Sequence, residues 1–220
     1  MYRAILFDMD GTVVDTEGMW TLAAEGLLRR RNIYVTQEQY TQLFHQIQGA
    51  SLMDTCMFLK MWMEVSDDVS QLTHEYMELA KRYYAQGLQY IPGFREFHAK
   101  LENRHIPTAL ATNANTYGLT MTDQSLNVQA FFGEHMYCVD DVAGVSKPHP
   151  DVYLYAARKL DVHPEHTVII EDSPPGIQAA INSGAYCIAI NTGGDREHLV
   201  HAHQVVDAYE QIDIGALCHA

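Results

Sequence analysis

The spacing of hydrophobic positions changes twice along this chain. Tyr2-Arg3-Ala4-Ile5-Leu6 is a short apolar run of the kind that forms a buried strand. From Glu17 to about Gly87 the apolar positions follow helical spacing, and no run there reads as a strand. Leu22, Ala23, Leu27 and Leu28 mark the face of a first helix that ends near Arg31-Asn32. Thr36 followed by Gln39 predicts a capping box opening a second helix, which carries Tyr40, Leu43, Phe44 and Ile47 until Gly49 breaks it. Ser51 with Asp54 opens a third, to about Glu64, and a fourth runs from about Asp68 to Gln86. The third, from Leu52 through Met53, Met57 and Met61 to Met63, is apolar nearly all round, which predicts burial on most sides.

Tyr90-Ile91-Pro92-Gly93 is a turn signal, and beyond it helix and strand alternate. Helices are expected over 94–103, 116–126 and 151–160, with strands over 107–111, 136–139, 167–170 and 185–190. Ser173 is placed to cap a helix with Pro174 in its first turn and Gly184 just past its end. Gln204-Val205-Val206 and a last helix to about Leu217 close the chain. The alternation predicts an α/β fold, a doubly wound parallel sheet with helices on both faces, interrupted after its first strand by four helices. The expected division is a core of residues 1–15 and 88–220 and a helical insertion of 16–87.

Composition narrows the function. At 47% apolar residues, the 220-residue chain can bury a full core. A net charge of −14 excludes the basic footprint that nucleic-acid binding needs. Cys56, Cys138, Cys187 and Cys218 are far apart with no C-x-x-C, the usage expected of reduced thiols in the cytoplasm. Asp8 comes too early to leave room for a signal-peptide apolar region, and no apolar run approaches the roughly 20 residues that span a bilayer. A cytoplasmic protein with no membrane or nucleic-acid partner is therefore expected; the oligomeric state is left open.

In open α/β sheets ligands bind beyond the carboxyl ends of the strands, and the polar residues gather there. The first strand runs into Asp8-Met9-Asp10-Gly11-Thr12, the second core strand ends at Thr112-Asn113, and the clearest strand ends at Glu171-Asp172-Ser173. Side chains two apart in an extended segment lie on one side, so Asp8 and Asp10 can crowd one site, where a cation or a retained proton relieves their repulsion. A D-x-D corner alone reads equally as an ordinary polar turn. Lys147, in the proline-stiffened Val145-Ser146-Lys147-Pro148-His149-Pro150, supplies the cation such a site needs. Oxygen ligands suit Mg2+; a hydroxyl, a lysine and free N–H groups suit phosphate. One aspartate can attack phosphorus and the other move protons. Asp140-Asp141 reads as a solvated strand end, and His198, His201 and His203 lack a recognised metal-ligand spacing.

D-M-D-G-T, T-N, K-P-x-P and E-D-S-x-x-G, in this order, resemble the aspartate-nucleophile phosphatases of the haloacid dehalogenase superfamily. The insertion is similar to the small helical cap of the branch with β-phosphoglucomutase, phosphoglycolate phosphatase and sugar-phosphate phosphatases. The resemblance implies Asp8 as nucleophile and Asp10 as general acid/base. It implies Mg2+ on Asp8, the Asp10 carbonyl and Asp172, with Glu171 a further ligand or just behind them. Thr112, Asn113 and Lys147 would bind the phosphoryl group, helped by backbone N–H groups of Met9, Asp10 and Asn113. The implied reaction is hydrolysis of a small phosphorylated metabolite, a sugar phosphate or phosphoglycolate-like ester, through an aspartyl phosphate. Gln48-Gly49-Ala50-Ser51-Leu52 resembles a cap loop that in β-phosphoglucomutase has a lysine before the glycine and an arginine three residues after it. Gln48 and Leu52 stand there instead, which favours hydrolysis over the alternative, hexose-phosphate isomerisation. A non-catalytic phospho-acceptor or binding module is the alternative of another class. Asp15, Thr16, Gly49 and Ser51 are candidate substrate contacts from the insertion, with Glu17 and Trp20 beside them.

Overall fold

The structure is a computed structural model that describes residues 2–84, 87–194 and 196–217. Strand β1 (Ala4–Phe7) leads through a tight turn to β2 (Val14–Asp15), and four helices follow: α1 (Glu17–Arg30), α2 (Gln37–Ile47), α3 (Leu52–Met63) and α4 (Val69–Tyr84). The chain returns through β3 (Gln89–Tyr90) to α5 (Phe94–Glu102), β4 (Thr108–Ala111), α6 (Thr116–Leu126), α7 (Gln129–Phe132) and β5 (Met136–Tyr137). Then come α8 (Asp151–Lys159), β6 (Thr167–Glu171), α9 (Pro174–Ser183), β7 (Tyr186–Ile190), β8 (Gln204–Val206) and α10 (Ile214–Leu217).

Six strands form one parallel sheet in the order β5-β4-β1-β6-β7-β8. The doubly wound α/β fold is as expected. The strands alternate their side chains between two packed faces. Ile5 and Phe7 join Phe94, Phe97, Leu101 and Phe132 on one face; Leu6 and Ile169 join Val152, Ala156, Ile177 and Ala180 on the other. Phe7 anchors the first face, its ring edge-on to Phe94 at 5.7 Å between centroids. Both faces being covered explains why β1 and the Val168-Ile169-Ile170 stretch of β6 are fully buried and apolar.

Local chemistry at the helix starts is as read from sequence. Thr36 and Gln39 form the capping box of α2, Ser51 accepts from the Asp54 N–H at the start of α3, and Ser173 accepts from the Gly176 N–H at the start of α9. Gln86 and Cys218 lie outside the described residues; Cys56, Cys138 and Cys187 are buried free thiols.

Four expectations are corrected. Helix α3 buries only Thr55, Cys56, Leu59 and Met63, while Met53, Met57 and Met61, each four residues on, are 50%, 50% and 78% exposed. A helix apolar on every side carries no periodic signal to say which side packs, and α3 turns one side to its neighbours in the insertion. The strand expected over 136–139 stops at Tyr137 and tightens into a single 3₁₀ turn over Val139–Val142. Asp140 is not merely solvated: its Oδ2 accepts from the Thr116 N–H at 2.8 Å and the Thr116 hydroxyl at 2.7 Å, while Asp141 accepts from the Cys138 N–H. Finally, Tyr90 belongs to a two-stranded antiparallel ribbon, Val14 opposite Tyr90 and Asp15 opposite Gln89, through which the chain both enters and leaves the helical insertion.

Candidate active site

Strand β1 lies between β4 and β6, so the segment after Phe7 is flanked by the ends of both neighbours. That topology brings Asp8 and Asp10 beside Thr112, Asn113 and Asp172, and all five line one cavity of about 110 Å³ between the sheet end and the helical insertion. Gly11 makes the corner possible. Its φ is +77°, and a Cβ there would overlap the Asp172 carboxylate.

Lys147 reaches this point from the proline-flanked loop. Its Nζ donates to Asp8 Oδ1 at 2.5 Å and to Glu171 Oε1 at 2.8 Å, with its side chain 1% exposed. Glu171 is saturated: Oε1 also accepts from the Tyr153 hydroxyl at 2.8 Å, and Oε2 accepts from the N–H groups of Asp172 and Ser173 and the Ser173 hydroxyl. The Lys147 ammonium also lies 4.5 Å from the centroid of the Tyr153 ring. Asp172 Oδ1 accepts from the Thr12 hydroxyl at 3.2 Å.

Three buried carboxylates therefore face one ammonium. Burial pushes the Asp8 carboxyl up to about 8, with the charges of Glu171 and Asp10 adding to the shift and Lys147 opposing it. Burial and then Glu171 and Asp8 likewise raise Asp172 well above the usual carboxylate range. Burial also acts on Glu171, but Lys147, the Ser173 N–H and the Tyr153 hydroxyl outweigh it and hold that carboxyl low. Asp8, Glu171 and Asp172 each present an oxygen, all within 4.8 Å of one another. An all-oxygen, negatively charged and buried cluster is the donor set a hard divalent cation takes.

Asp10 sits apart from this network. Its Oδ1 accepts from the Thr16 hydroxyl at 2.7 Å and the Trp20 indole N–H at 3.2 Å, both from the start of the insertion. Burial raises its carboxyl above the ordinary range and these two donors pull against it. The N–H groups of Met9, Asp10 and Asn113 make no hydrogen bond among the described residues, and Thr112 is 1% exposed beside them. Such a group of free donors is suited to an anion.

The remaining candidates divide. The Asn113 side chain is committed to structure: Nδ2 donates to the Gly49 carbonyl at 2.8 Å and Oδ1 accepts from the Lys147 N–H at 2.8 Å. It ties the insertion loop to the lysine loop. Gly49 lines the cavity at φ +71°, where a Cβ would overlap Ser173 Oγ. Ser51 caps α3 and bonds Asp54, which also accepts from Ser146 at 2.8 Å, a second tie between insertion and core. Asp15 is exposed in β2 and borders an outer cleft with Asn191 and His198. Neither Ser51 nor Asp15 lines the central cavity, so of the four insertion candidates Thr16 and Gly49 are the two at the site. Sequence reasoning missed Tyr153 and gave Thr12 no partner. The signal for Tyr153 was a tyrosine in the first turn of the helix that follows the lysine loop.

The family model described as haloacid dehalogenase-like hydrolase matches residues 5–190. The chain is 29% identical over 183 residues to the phosphorylated carbohydrates phosphatase of Thermotoga maritima, covering 83% of this chain and 82% of that protein. It is 24% identical over 212 residues to hexitol phosphatase A of Escherichia coli, covering 96% and 94%. Its fold is similar to a HAD hydrolase, family IA, variant 3, from Entamoeba histolytica, with a TM-score of 0.84, 21% identity, and 99% and 97% of the two chains covered.

Proposed function

Since the chain belongs to the haloacid dehalogenase-like hydrolases, we propose that it is a Mg2+-dependent phosphatase hydrolysing a small phosphate monoester through an aspartyl phosphate on Asp8. The phosphatase names of the two relatives support the reaction class. One observation of this chain carries the reading: Asp8 and Asp10 share a cavity but have opposite surroundings. Asp8 faces Lys147 and the acidic cluster, and Asp10 is held by Thr16 and Trp20.

The roles follow from those surroundings. Asp8 attacks phosphorus, and the leaving alkoxide takes the proton of Asp10, whose raised proton affinity lets it carry one. The same carboxylate then accepts a proton from the water that attacks the acyl phosphate, so that phosphate leaves and Asp8 is restored. Thr112, Lys147 and the free N–H groups of Met9, Asp10 and Asn113 hold the phosphoryl oxygens. Mg2+, when bound, would be held by Asp8, Asp172 and the Asp10 carbonyl, and would neutralise charge on the phosphoryl group. Glu171, with both oxygens already accepting, anchors Lys147 instead of binding metal. The insertion, residues 16–87, closes the site against water, its loop fastened through Gly49 and Asp54. The protein acts in the cytoplasm; among the described residues no helix is long and apolar enough to cross a membrane.

Release of phosphate from p-nitrophenyl phosphate tests this reading. Wild-type protein is expected to turn over with Mg2+ and stop with EDTA, and Asp8→Asn is expected to lose at least about 1,000-fold in kcat. Activity retained in that variant contradicts the mechanism.

A further inference from the structure

We infer that Tyr153 is a positioning residue of this site: its hydroxyl, acting through Glu171, keeps the Lys147 ammonium shared with Asp8 and in reach of the phosphoryl group. This rests on the phosphatase reading above. Four residues of α8 are buried, and the other three, Val152, Ala156 and Ala157, are small and apolar. They pack with Leu6 and Ile169 on one face of the sheet. A phenylalanine would fill the space of Tyr153 there, so packing does not account for its hydroxyl. Tyr153 is 1% exposed and does not line the cavity, so it touches no reacting atom. The two oxygens of Glu171 are held differently. Oε2 accepts from the N–H groups of Asp172 and Ser173 and from the Ser173 hydroxyl, all within two residues along the chain. Oε1 accepts from Tyr153 and Lys147 alone among the described residues, each at 2.8 Å. The carboxylate cannot swing toward α9, because it lies against Gly176, where a Cβ would come 1.6 Å from Oε1.

Lys147 is therefore divided between two buried anions. Its Nζ donates to Asp8 Oδ1 at 2.5 Å and to Glu171 Oε1 at 2.8 Å. A buried carboxylate oxygen that loses one of two donors draws harder on the other. Without the Tyr153 hydroxyl the whole demand of Oε1 falls on the ammonium, which is pulled to Glu171 and away from Asp8. The ring face, 4.5 Å from Nζ at its centroid, holds the ammonium from a second side, and Tyr153→Phe keeps that face while removing the hydroxyl. Lys147 meets the phosphoryl oxygens before and during attack on phosphorus. Displacing it weakens the binding of substrate and transition state alike, which raises KM and spares kcat. A tyrosine that served the fold alone would do the opposite: its loss lowers the folded fraction, and with it kcat, at unchanged KM.

Tyr153→Phe in the full chain tests this with p-nitrophenyl phosphate and Mg2+. KM and the inhibition constant of inorganic phosphate are each expected to rise about 10-fold, with kcat changed by less than about 3-fold. Calorimetric titration with inorganic phosphate reads the same loss without turnover. With Glu171→Gln already present, adding Tyr153→Phe is expected to change phosphate affinity by less than about 2-fold, because the effect passes through that carboxylate. Unchanged KM and phosphate affinity in Tyr153→Phe, or an equal further loss in the Glu171→Gln protein, overturns the inference and leaves the phosphatase reading standing. The first of these outcomes decides alone if Glu171→Gln does not fold. Phosphate binding weakened as expected, in a protein that hydrolyses no ester, would do the reverse.

Discussion

At the sheet end every charged side chain is committed: Lys147 to Asp8 and Glu171, Glu171 also to Tyr153 and two backbone N–H groups, Asp172 to Thr12. Across the cavity the described residues of the insertion offer mostly carbon, from Trp20, Phe44, Ile47, Leu52 and Met77. The first wall is a saturated network, costly to change because removing one member strands a buried charge. The second can be repacked one residue at a time. Chemistry held by the first and cover supplied by the second can therefore vary separately.

The comparison predicts effects of graded size. Lys147→Met strands Asp8 and Glu171 in a buried site, so without divalent cation the variant is expected to lose about 3–5 kcal/mol of stability, read by urea unfolding. Added Mg2+ is expected to recover part of that loss, because a cation replaces the missing charge. A variant as stable as wild type in EDTA contradicts the saturated-network view. Next, Gly49→Ala places a Cβ at φ +71° against Ser173 and should push the insertion loop off the sheet end. A cost of about 1–3 kcal/mol is expected, concentrated in kcat/KM rather than in the unfolding of the sheet. An equal loss in both would mean that the two walls are not separable.

The smallest effect is a control inside the sheet core. His98 is buried among Phe7, Phe94, Phe131 and Phe132, and burial lowers its proton affinity below the ordinary 6.5, with Glu102 opposing. The unfolded chain therefore binds the extra proton first. Stability contributed by the neutral ring is full above pH 6.5 and is lost as pH falls below it toward the folded value. Urea midpoints between pH 8 and 5 are expected to fall less steeply in His98→Gln than in wild type, with activity at pH 8 little changed. Identical slopes would remove His98 from the account.

Much of this was readable in the chain because the relevant physics is local. An apolar run ending in D-x-D-G-T, a hydroxyl three residues before an amide or acid, and a proline-braced lysine each act within a few residues. What escaped depends on tertiary partners. The Val14–Asp15 ribbon is two residues long and exists only because Gln89 and Tyr90 return beside it. The exposed methionines of α3 needed knowledge of which side its neighbours cover. Tyr153 is one of many buried tyrosines until Glu171, 18 residues on, is brought to 2.8 Å from its hydroxyl. The resemblance gave Asn113 a phosphoryl contact helped by its backbone N–H, while the tie its side-chain amide makes to Gly49 and Lys147 is tertiary and no local pattern shows it.

The covalent step on Asp8 is the centre of the account, and rapid acid quench reads it most directly. Wild-type protein mixed with a radiolabelled phosphate ester and Mg2+ is expected to retain label within the first turnover, released by hydroxylamine and mapped to the peptide containing Asp8. Asp8→Asn should retain none. Protein that stays unlabelled at every quench time while phosphate is being released, or label mapped to another residue, would contradict it.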